Sequence, residues 1–567
     1  MHGKYRAERS MYRLFTVRIA VAGSPTESAL RMPHADAGNA RSGTTRVAPA
    51  AGRSGEISTH INGEEIIVKN NRKRFTAMLA ICLGFFFLSL GSMQAKLIWQ
   101  IATGADRNDA ARGGIIQTSD GGYITVGESQ SFSGGDYDVY VVKIDPCGFL
   151  QWSSTYNIGG NDYGRKIRQT PDGGYIITGE TDNKYSCCTN SDAFLLKIKE
   201  DGEVDWTKTY GGYLKDESSD VELYNGGRGY IMAGSTSSCG AGATDAWLVL
   251  TDDGGNVVWG KAYGGYDVDK FNSVVQAENG DLIAAGFTNS YNVTDPVFST
   301  SDVYIVRVNA SGNVLWANHY GGGGNDVANC VIEAKGGEIV VAGYTTSLST
   351  KYEAYLLRVK GSGSFIADVV HGGGHEAGRD EYRELREIPD GSGEIITVGR
   401  IMKPYSGSLG DYDVFATRVK ASLGRIWSKN YGGGSADEGY SVTLVKEPDV
   451  REYNFAFAGV TLSFGGGLED EYVIKAWSNG ETFCNESIPG VIEEKPGFKD
   501  YPAPTCEPLF IVQCVAKTAP VYNEKYTRIC VPCDAPFDGG NGVLGRNDGP
   551  AQGRNMVDLG RSPLGAR

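Results

Sequence analysis

Histidine is scarce in this sequence, and its placement bears on catalysis. Six of the 567 residues are histidine, and only His319, His371 and His375 follow residue 95. None of them stands in an arrangement typical of a Ser-His-Asp enzyme. The segment between His371 and His375 consists of three glycines, so a helix that presents both rings to zinc is not expected. The histidines therefore offer no motif for hydrolytic or zinc chemistry.

Basic residues are in deficit over most of the chain. The net charge is −14, but residues 1–95 contain 13 Lys or Arg against 6 Asp or Glu, so the remainder carries −21. An acidic body repels phosphate backbones. We therefore do not expect a nucleic-acid partner.

A stretch of 21 residues without charge, Phe75 to Ala95, follows directly after Lys69, Arg72, Lys73 and Arg74. It indicates either a secretory signal cleaved near Ala95 or an uncleaved anchor with its basic flank inside. A buried core helix is the alternative. Both membrane interpretations predict an extracellular, periplasmic or cell-surface protein, which contacts the membrane through residues 75–95 only if they remain. Residues 1–74 form a basic segment that we expect to be disordered.

Glycine and aromatic residues are plentiful instead. The chain contains 79 Gly, 31 Tyr and 20 Phe, which is typical of many short strands joined by tight turns. At 41% hydrophobic residues, it has enough apolar material to form a large core. Both features favour an all-β fold.

A repeat of about fifty-odd residues runs through the middle of the chain. Its marker is a tryptophan, which is replaced by Ala367 in one of seven units; the others are Trp99, Trp152, Trp206, Trp259, Trp316 and Trp427. An aromatic-Gly-Gly step follows four residues later in most units. Ten residues after the marker stands an aspartate: Asp109, Asp162, Asp216, Asp269, Asp326 and Asp437. The sixth unit lacks this aspartate, and Asp380 is the candidate substitute after an insertion.

The second half of each unit repeats as well. A Gly turn leads to an apolar strand that ends in Gly, and a polar loop of variable length follows. A third strand then opens with an acid: Asp138, Asp192, Asp245, Asp302, Glu353, Asp413 and Asp470. A last Gly turn leads to the next marker strand. Each unit thus predicts four short antiparallel strands.

Strands that are apolar at consecutive positions must be covered on both faces, and radial stacking in a closed ring covers them. We predict a seven-bladed β-propeller of four-stranded antiparallel blades over residues 96–484. Because the first unit begins on its marker strand, residues near Leu97 to Ala102 are expected to supply the outermost strand of the last blade. An open solenoid is the structural alternative.

The motif combination resembles the SBBP-type β-propeller repeats of exported bacterial and archaeal proteins. The motifs are Trp-x3-Tyr-Gly-Gly, Asp-Gly-Gly-Tyr-Ile, Gly-x-Thr-x-Ser (residues 286–290 and 343–347) and an acid-Ala-Tyr-Leu-Leu-Arg strand (residues 353–358). The resemblance implies a surface or secreted propeller without an assigned reaction, and it supplies no catalytic residues. A weaker likeness to quinoprotein-like propellers rests on residues 250–259 and on the vicinal pair Cys187-Cys188.

The repeated acids have two interpretations. Both series are expected on one face of the ring, where Asp clusters with Gly-rich backbone can hold Ca²⁺. The alternative is structural: an Asp that recurs once per blade accepts hydrogen bonds from turn amides. We favour the structural role for both series and predict no cofactor beyond possible Ca²⁺. The marker tryptophans are expected to pack between blades, since sugar binding would require them to be exposed.

Five cysteines cluster late in the chain: Cys484, Cys506, Cys514, Cys530 and Cys533. Outside the cell they predict disulfides that attach a short extension, residues 485–535, to the ring, with zinc binding or redox exchange at Cys530 and Cys533 as the alternatives. Residues 536–567 are expected to form a disordered tail.

These features together predict a noncatalytic extracellular or cell-surface scaffold that binds a protein or a surface glycan through its loop face. The candidate binding loops are residues 131–135, 182–191, 237–244 and 289–301. The alternatives are a lectin-like carbohydrate-binding protein and a propeller enzyme, quinoprotein-like or hydrolytic, that uses the central funnel.

Overall fold

The computed structural model describes residues 98–482 and 486–487, except 134, 183–190, 291–299, 348–350, 373–378, 403–411, 448–449 and 466–467. It also describes five short strands, Phe15–Ala20, Ile57–Ile61, Glu64–Val68, Phe510–Val512 and Tyr526–Cys530. Within these ranges, no helix has the length and apolarity needed to cross a bilayer. Residues 75–95 and the side chains of the five late cysteines lie outside the described residues, so the signal, anchor and disulfide predictions stay predictions.

Seven sheets, each built on four antiparallel strands, form the body, and we number them blades 1 to 7; short strands from other parts of the chain extend the edges of blades 2, 6 and 7. Blade 1 comprises Asp109–Gln117, Tyr123–Ser129, Asp138–Ile144 and Leu150–Tyr156; blade 2, Asp162–Gln169, Tyr175–Asp182, Ser191–Ile198 and Val204–Gly211; blade 3, Asp216–Tyr224, Gly229–Thr236, Asp245–Asp252 and Val257–Tyr263. Blade 4 comprises Asp269–Gln276, Leu282–Thr288, Asp302–Val308 and Val314–Tyr320; blade 5, Asp326–Ala334, Glu338–Thr345, Glu353–Val359 and Phe365–His371. Blade 6 comprises Glu381–Glu387, Ile395–Met402, Tyr412–Val419 and Arg425–Tyr431; blade 7, Asp437–Val445, Asn454–Thr461, Asp470–Ala476 and Ile98–Thr103.

The core lies between neighbouring blades. Ile124 and Val126 of blade 1 pack with Ile177 and Phe194 of blade 2, whereas Tyr123, the neighbour of Ile124, packs with blade 7. Successive side chains of one strand therefore enter two different interfaces, as the period of two in a strand requires. This explains why the second and third strands are apolar at consecutive positions.

The N-terminal strand closes the ring. Ile98–Thr103 pairs antiparallel with the third strand of blade 7, with Ile101 opposite Val473. The first strands of blades 7 and 1 also meet, because the amide of Ile115 donates to Ser441 Oγ at 3.0 Å. The seven-bladed propeller and its closure by the segment near Leu97 to Ala102 are confirmed, and the open solenoid is excluded.

Each fourth strand docks on the next blade through its marker residues. The phenol of Tyr263 donates to the carbonyl of Gly312 at 2.8 Å, and the indole of Trp259 donates to Ala310 O at 3.1 Å. Gly312 lies in the turn between the third and fourth strands of blade 4, with φ of +72°. A Cβ at this glycine would lie 3.1 Å from the Trp259 ring. The backbone conformation at position 312 therefore favours glycine, and a side chain there would also crowd the ring.

The same contact recurs around the ring. An added Cβ would lie between 2.7 and 3.1 Å from a marker indole at each of these turn glycines: Gly148, Gly202, Gly255, Gly312, Gly363 and Gly480. The structure thus places Trp99, Trp152, Trp206, Trp259, Trp316 and Trp427 against the adjacent blade.

One junction departs from this pattern. Blade 5 carries Ala367 at the marker position, and the corresponding turn of blade 6 carries Leu423 in place of glycine, with φ of +64°. Leu423 is 2% exposed and belongs to the cluster against which Ala367 packs. At this junction the small residue, Ala367, is at the marker position and the large residue, Leu423, is in the turn, which is the reverse of the other junctions.

A buried glutamate lies at the closing seam. Glu471 is 1% exposed and accepts a hydrogen bond from Thr103 of the closing strand at 2.9 Å. Burial raises its pKa to about 7, and the nearby Asp109 adds to that effect. The Glu471 carboxyl therefore binds its proton more tightly in the folded state than in the unfolded state.

Glu471 should make stability depend on pH. Because its folded pKa exceeds its unfolded value, its favourable contribution is complete below about pH 4.5 and is lost as pH rises through 7. In urea unfolding we expect Glu471→Gln to stabilise the protein relative to wild type by about 1–3 kcal/mol more at pH 8 than at pH 5. The exposed Glu203→Gln is the control, and a pH-independent difference for Glu471→Gln would contradict the assignment.

Candidate functional site

The first-strand aspartates accept hydrogen bonds that connect neighbouring loops on the loop face. Asp326 accepts from Thr345 Oγ1 and from Ser347 Oγ at 2.5 Å, and the amide of Gly322 donates to it at 2.9 Å. Asp216 and Asp437 accept in the same way from the two hydroxyls of their own Thr-x-Ser segments and from the amides of Gly212 and Gly433. The Gly-x-Thr-x-Ser motif is therefore the partner of the repeated Asp. In blade 6 Asp380 takes this place, where it accepts from the amide of Met402 at 2.8 Å.

The two acidic series meet at the junctions between blades. A Cβ at Gly321 would lie 2.3 Å from Asp302 Oδ1 and 2.6 Å from Asp326 Oδ2. Corresponding contacts surround Gly104, Gly211, Gly264 and Gly432. The first glycine of the aromatic-Gly-Gly step thus fits between a third-strand acid and the next first-strand Asp, where no side chain has room.

Burial and this pairing raise the pKa of several of the aspartates. Burial raises the pKa of Asp162 to about 7, and the charge of Asp138 adds to the rise. The pKa of Asp269 and Asp245 is also raised, mainly by burial. The acid pairs therefore lie in a protected environment whose carboxylates already accept hydrogen bonds from the protein.

This arrangement bears on the calcium prediction. Among the residues that the structure describes, no three Asp, Glu, His or Cys side chains converge as metal ligands would. The oxygens of Asp216, Asp326 and Asp437 accept from hydroxyls and amides instead. A Ca²⁺ site on this face stays a prediction.

A second cluster lies on the propeller axis, where every first strand has a β-bulge opposite a glycine of the second strand. At Gly343, for example, a Cβ would lie 1.8 Å from Val327 O, so the second strand can pass the bulge only as glycine. A bulge re-aims the extra residue. The residues in this position form the axial ring: Arg112, Arg165, Ser219, Asn272, Asn329, Arg383 and Tyr440.

The axial ring surrounds a cavity of about 220 Å³. Besides the ring, the lining includes Lys166, Asp220, Ser273, Cys330 and Glu381. Lys166 of blade 2 bonds across the axis to Glu384 of blade 6 at 2.6 Å, and Ser273 bonds to Asp220 at 2.9 Å. Residues from every blade thus take part in one axial site.

Ion pairs hold the arginines of the axial ring. Arg112 pairs with Glu128 at 2.7 Å and with Glu469, and Arg383 pairs with Glu381 at 2.6 Å and Glu438 at 2.8 Å. Burial alone would raise the pKa of Glu438, but Arg383 and Arg400 outweigh it and lower the pKa to about 2. The network is therefore fully charged at neutral pH.

The axial ring was not predicted from the sequence. Its signal was available: three residues after each first-strand Asp stands a polar or aromatic residue whose type changes from blade to blade. A variable polar position within a strand that otherwise repeats indicates a side chain outside the common packing.

A third feature is an exposed aromatic patch on the loop face. Tyr213 and Tyr266 are 82% and 90% exposed, and each follows the Gly-Gly step before the first strand of blade 3 or 4. The loop of residues 237–244 lies between them, since Ser238 Oγ accepts from the amide of Leu214 and the α-carbon of Gly242 lies against the backbone of Gly265 and Tyr266. We call Tyr213, Leu214, Tyr266 and residues 237–244 the loop patch.

The other candidate binding loops are described in part. Ser131 bonds to Asp109 at 2.6 Å and so belongs to the structural contacts of blade 1. Most of residues 182–191 and 289–301 lie outside the described residues. His375 does too, whereas His319 bonds to Asp302 at 2.9 Å and His371 to the Tyr382 phenol at 2.9 Å.

Comparison with known proteins gives one distant sequence relative. No family model matches the chain. This chain is 24% identical over 370 residues to the regulatory protein FlaEY of Caulobacter vibrioides. The match covers 58% of this chain and 36% of FlaEY. The chain therefore spans about a third of the length of this curated relative. The likeness to SBBP-type repeats stays a resemblance.

Solved structures include remote neighbours. A protein of unknown function from Dyadobacter fermentans is 14% identical, covers 66% of this chain and 97% of its own, and has a TM-score of 0.35. Sqt1 from Chaetomium thermophilum is 9% identical, with 66% and 99% covered and a TM-score of 0.36. At TM-scores this low, the architecture rests on the strand pairing of this chain itself.

Proposed function

We propose that this chain is a noncatalytic scaffold, outside the cell or at its surface, that binds a partner protein through the loop patch. The observation that carries the proposal is the exposure of Tyr213 and Tyr266 on adjacent blades. Tyrosine supplies a large contact area with few rotatable bonds and is enriched at the centres of protein interfaces. Residues 75–95 would deliver the chain to the membrane and remain as an anchor if uncleaved.

The fold does not need these tyrosines. In the part of the chain that the structure describes, three other junctions carry glycine at the same position after the marker, Gly159, Gly323 and Gly434, and Asp106 occupies it before blade 1. The first strands nevertheless begin in the same way in all of these blades. Large aromatic side chains at two neighbouring junctions therefore support recognition rather than packing.

A surface glycan is the second candidate partner. Exposed aromatic rings also present flat apolar faces to sugars, so the loop patch suits a lectin-like protein as well. The third candidate, an enzyme that uses the funnel, is supported only by the existence of the axial cavity. Protein binding is preferred because Leu214, 52% exposed beside Tyr213, extends the patch with an aliphatic surface.

Site-specific photo-crosslinking tests the proposal. A photoreactive phenylalanine analogue at position 213 or 266 should yield an adduct of one defined protein mass in cells of the source organism. The same analogue at Leu468, which is 66% exposed between the second and third strands of blade 7, should not. Equal labelling at all three positions, or none, would contradict the proposal.

Binding of that partner should depend on both rings. For Tyr213→Ala/Tyr266→Ala we expect the affinity to fall by at least about tenfold, because each interface aromatic contributes on the order of 1 kcal/mol or more. Leu468→Ala is the matched control and should leave the affinity unchanged. Saturable binding on a glycan array that the double variant loses, without any protein adduct, would favour the lectin-like alternative.

A further inference from the structure

The wall of the axial cavity is asymmetric. The residues of the axial ring are arginine or tyrosine in four consecutive blades, 6, 7, 1 and 2, and serine or asparagine in blades 3, 4 and 5. Contacts that only hold the fold together recur in most blades, as the aspartate and tryptophan contacts do. The axial position differs from them, because its residue type varies around the ring and its side chains line a cavity.

Arg165 keeps unused donors on the basic side of the wall. Within the described residues its guanidinium donates one hydrogen bond, to Glu180 at 2.7 Å, and lies 5.0 Å from the centre of the Tyr163 ring, while a third of its side chain is exposed. A guanidinium carries five N–H donors. Arg112 and Arg383, by contrast, each pair with two carboxylates, and Arg383 stacks 3.6 Å from the centre of the Tyr440 ring. Arg165 is therefore the arginine best placed to receive a ligand.

The opposite wall is neutral and hydrogen-bonding. Asn272 and Asn329 each donate through Nδ2 to a carbonyl of the next blade, Ala328 O and Tyr382 O, both at 2.8 Å. These bonds fix the amide planes and leave each Oδ1 as an acceptor. Ser219 adds a hydroxyl beside them. Such a surface suits a ligand body that carries hydroxyl groups.

The cavity also has a suitable charge and size. Its lining contains Arg112, Arg165, Lys166 and Arg383 against Asp220 and Glu381, which is a surplus of two positive charges. Each of these cations is also ion-paired, but apart from Glu381 the paired carboxylates lie outside the lining: Glu128, Glu469, Glu180, Glu384 and Glu438. At about 220 Å³ the cavity has room for on the order of seven waters, which is close to the size of one monosaccharide.

We propose that the axial cavity binds a small oxyanion, a carboxylate or a phosphate on a hydroxyl-bearing body, with the anionic group at Arg165 and the hydroxyls at Asn272, Asn329 and Ser219. A planar guanidinium fork recognises either anion. The axial cavity is separate from the loop patch, so this site does not depend on the proposed partner.

Isothermal titration calorimetry of the full chain at low ionic strength tests the site with D-glucuronate, D-glucose 6-phosphate and neutral D-glucose. At least one of the two anions should bind saturably with a stoichiometry near one, and D-glucose should not. Binding of only the carboxylate or only the phosphate would identify which anion the site takes. No saturable binding of either anion, or equal binding of D-glucose, would overturn the proposal.

Two variants locate the binding in the axial cavity. Arg165→Gln should weaken anion binding by at least about tenfold, since it removes a charge-assisted contact. Ser219→Glu removes no member of an ion pair but places a competing carboxylate in the cavity, and it should weaken binding similarly. The exposed Arg451→Gln controls for the general loss of positive charge. Unchanged affinity in Arg165→Gln and Ser219→Glu, with thermal unfolding showing both folded, would refute the assignment.

Discussion

Replacing Ala367 with Trp is expected to destabilise the protein by about 3 kcal/mol, and adding Leu423→Gly to that variant is expected to recover much of the loss. In the other junctions the indole lies over a turn glycine, whereas Leu423 occupies that space between blades 5 and 6. A tryptophan at 367 would therefore meet a buried leucine, and overpacking of this kind costs about 1–3 kcal/mol or more.

The single Leu423→Gly variant completes a double-mutant cycle with Ala367→Trp and the double variant. It empties a buried site, which costs about 3–5 kcal/mol for a leucine, although it relieves a positive φ that only glycine adopts freely. We expect a coupling energy of at least about 2 kcal/mol in favour of the double variant, measured by chemical denaturation of all four proteins. The pair Ala317→Trp and Leu462→Gly, at unrelated positions, provides an additive control. Strict additivity at 367 and 423 would contradict the docking role of the marker residues.

Asp326→Ala is expected to destabilise the protein by about 3–4 kcal/mol. Asp326 is 2% exposed and accepts from two hydroxyls and one amide, which would be left buried without their acceptor. Hydrogen bonds to a charged group contribute about 1.5–3 kcal/mol each, and partial rehydration of the loop recovers some of that. Asp201→Ala in an exposed turn should cost less than about 0.5 kcal/mol.

The same pair of proteins tests the cation prediction. If these aspartates act as structural acceptors, millimolar Ca²⁺ will not change the thermal midpoint of the wild type. A Ca²⁺-dependent rise that Asp326→Ala abolishes would show that the carboxylate is a ligand instead. A loss of stability in Asp326→Ala no greater than in Asp201→Ala would remove the structural role.

The architecture was predictable because blade contacts repeat in residue type. Trp259 and Gly312, or Asp326 with Thr345 and Ser347, recur at fixed spacing because each blade presents the same surface to the next. The closing strand followed from the first unit beginning on its marker strand. The exception at Ala367 was visible in the sequence, but its partner Leu423 was not recognised, because the turn residue opposite the marker becomes apparent only in three dimensions.

The axial ring and the two tyrosines of the loop patch could not be derived in this way, although residues 237–244 were predicted as a binding loop. The residues at bulge positions, such as Arg165 and Asn272, differ in type from blade to blade, so they do not belong to the repeated pattern from which the blades were recognised. Which residue a bulge turns toward the axis depends on strand register, and a shift of one residue reverses it. The exposure of Tyr213 and Tyr266 likewise depends on how the loop of residues 237–244 packs, which the repeat does not encode.

Closure of the ring by the N-terminal strand is the claim on which the axial cavity and the shared loop face both depend. Hydrogen–deuterium exchange measures it directly in peptides that cover Ile98–Thr103. If this strand completes blade 7, its amides will be protected to a degree comparable with those of Asp470–Ala476, the strand with which it pairs. Complete exchange of residues 98–103 within seconds, while residues 470–476 stay protected, would show an open ring and contradict the account.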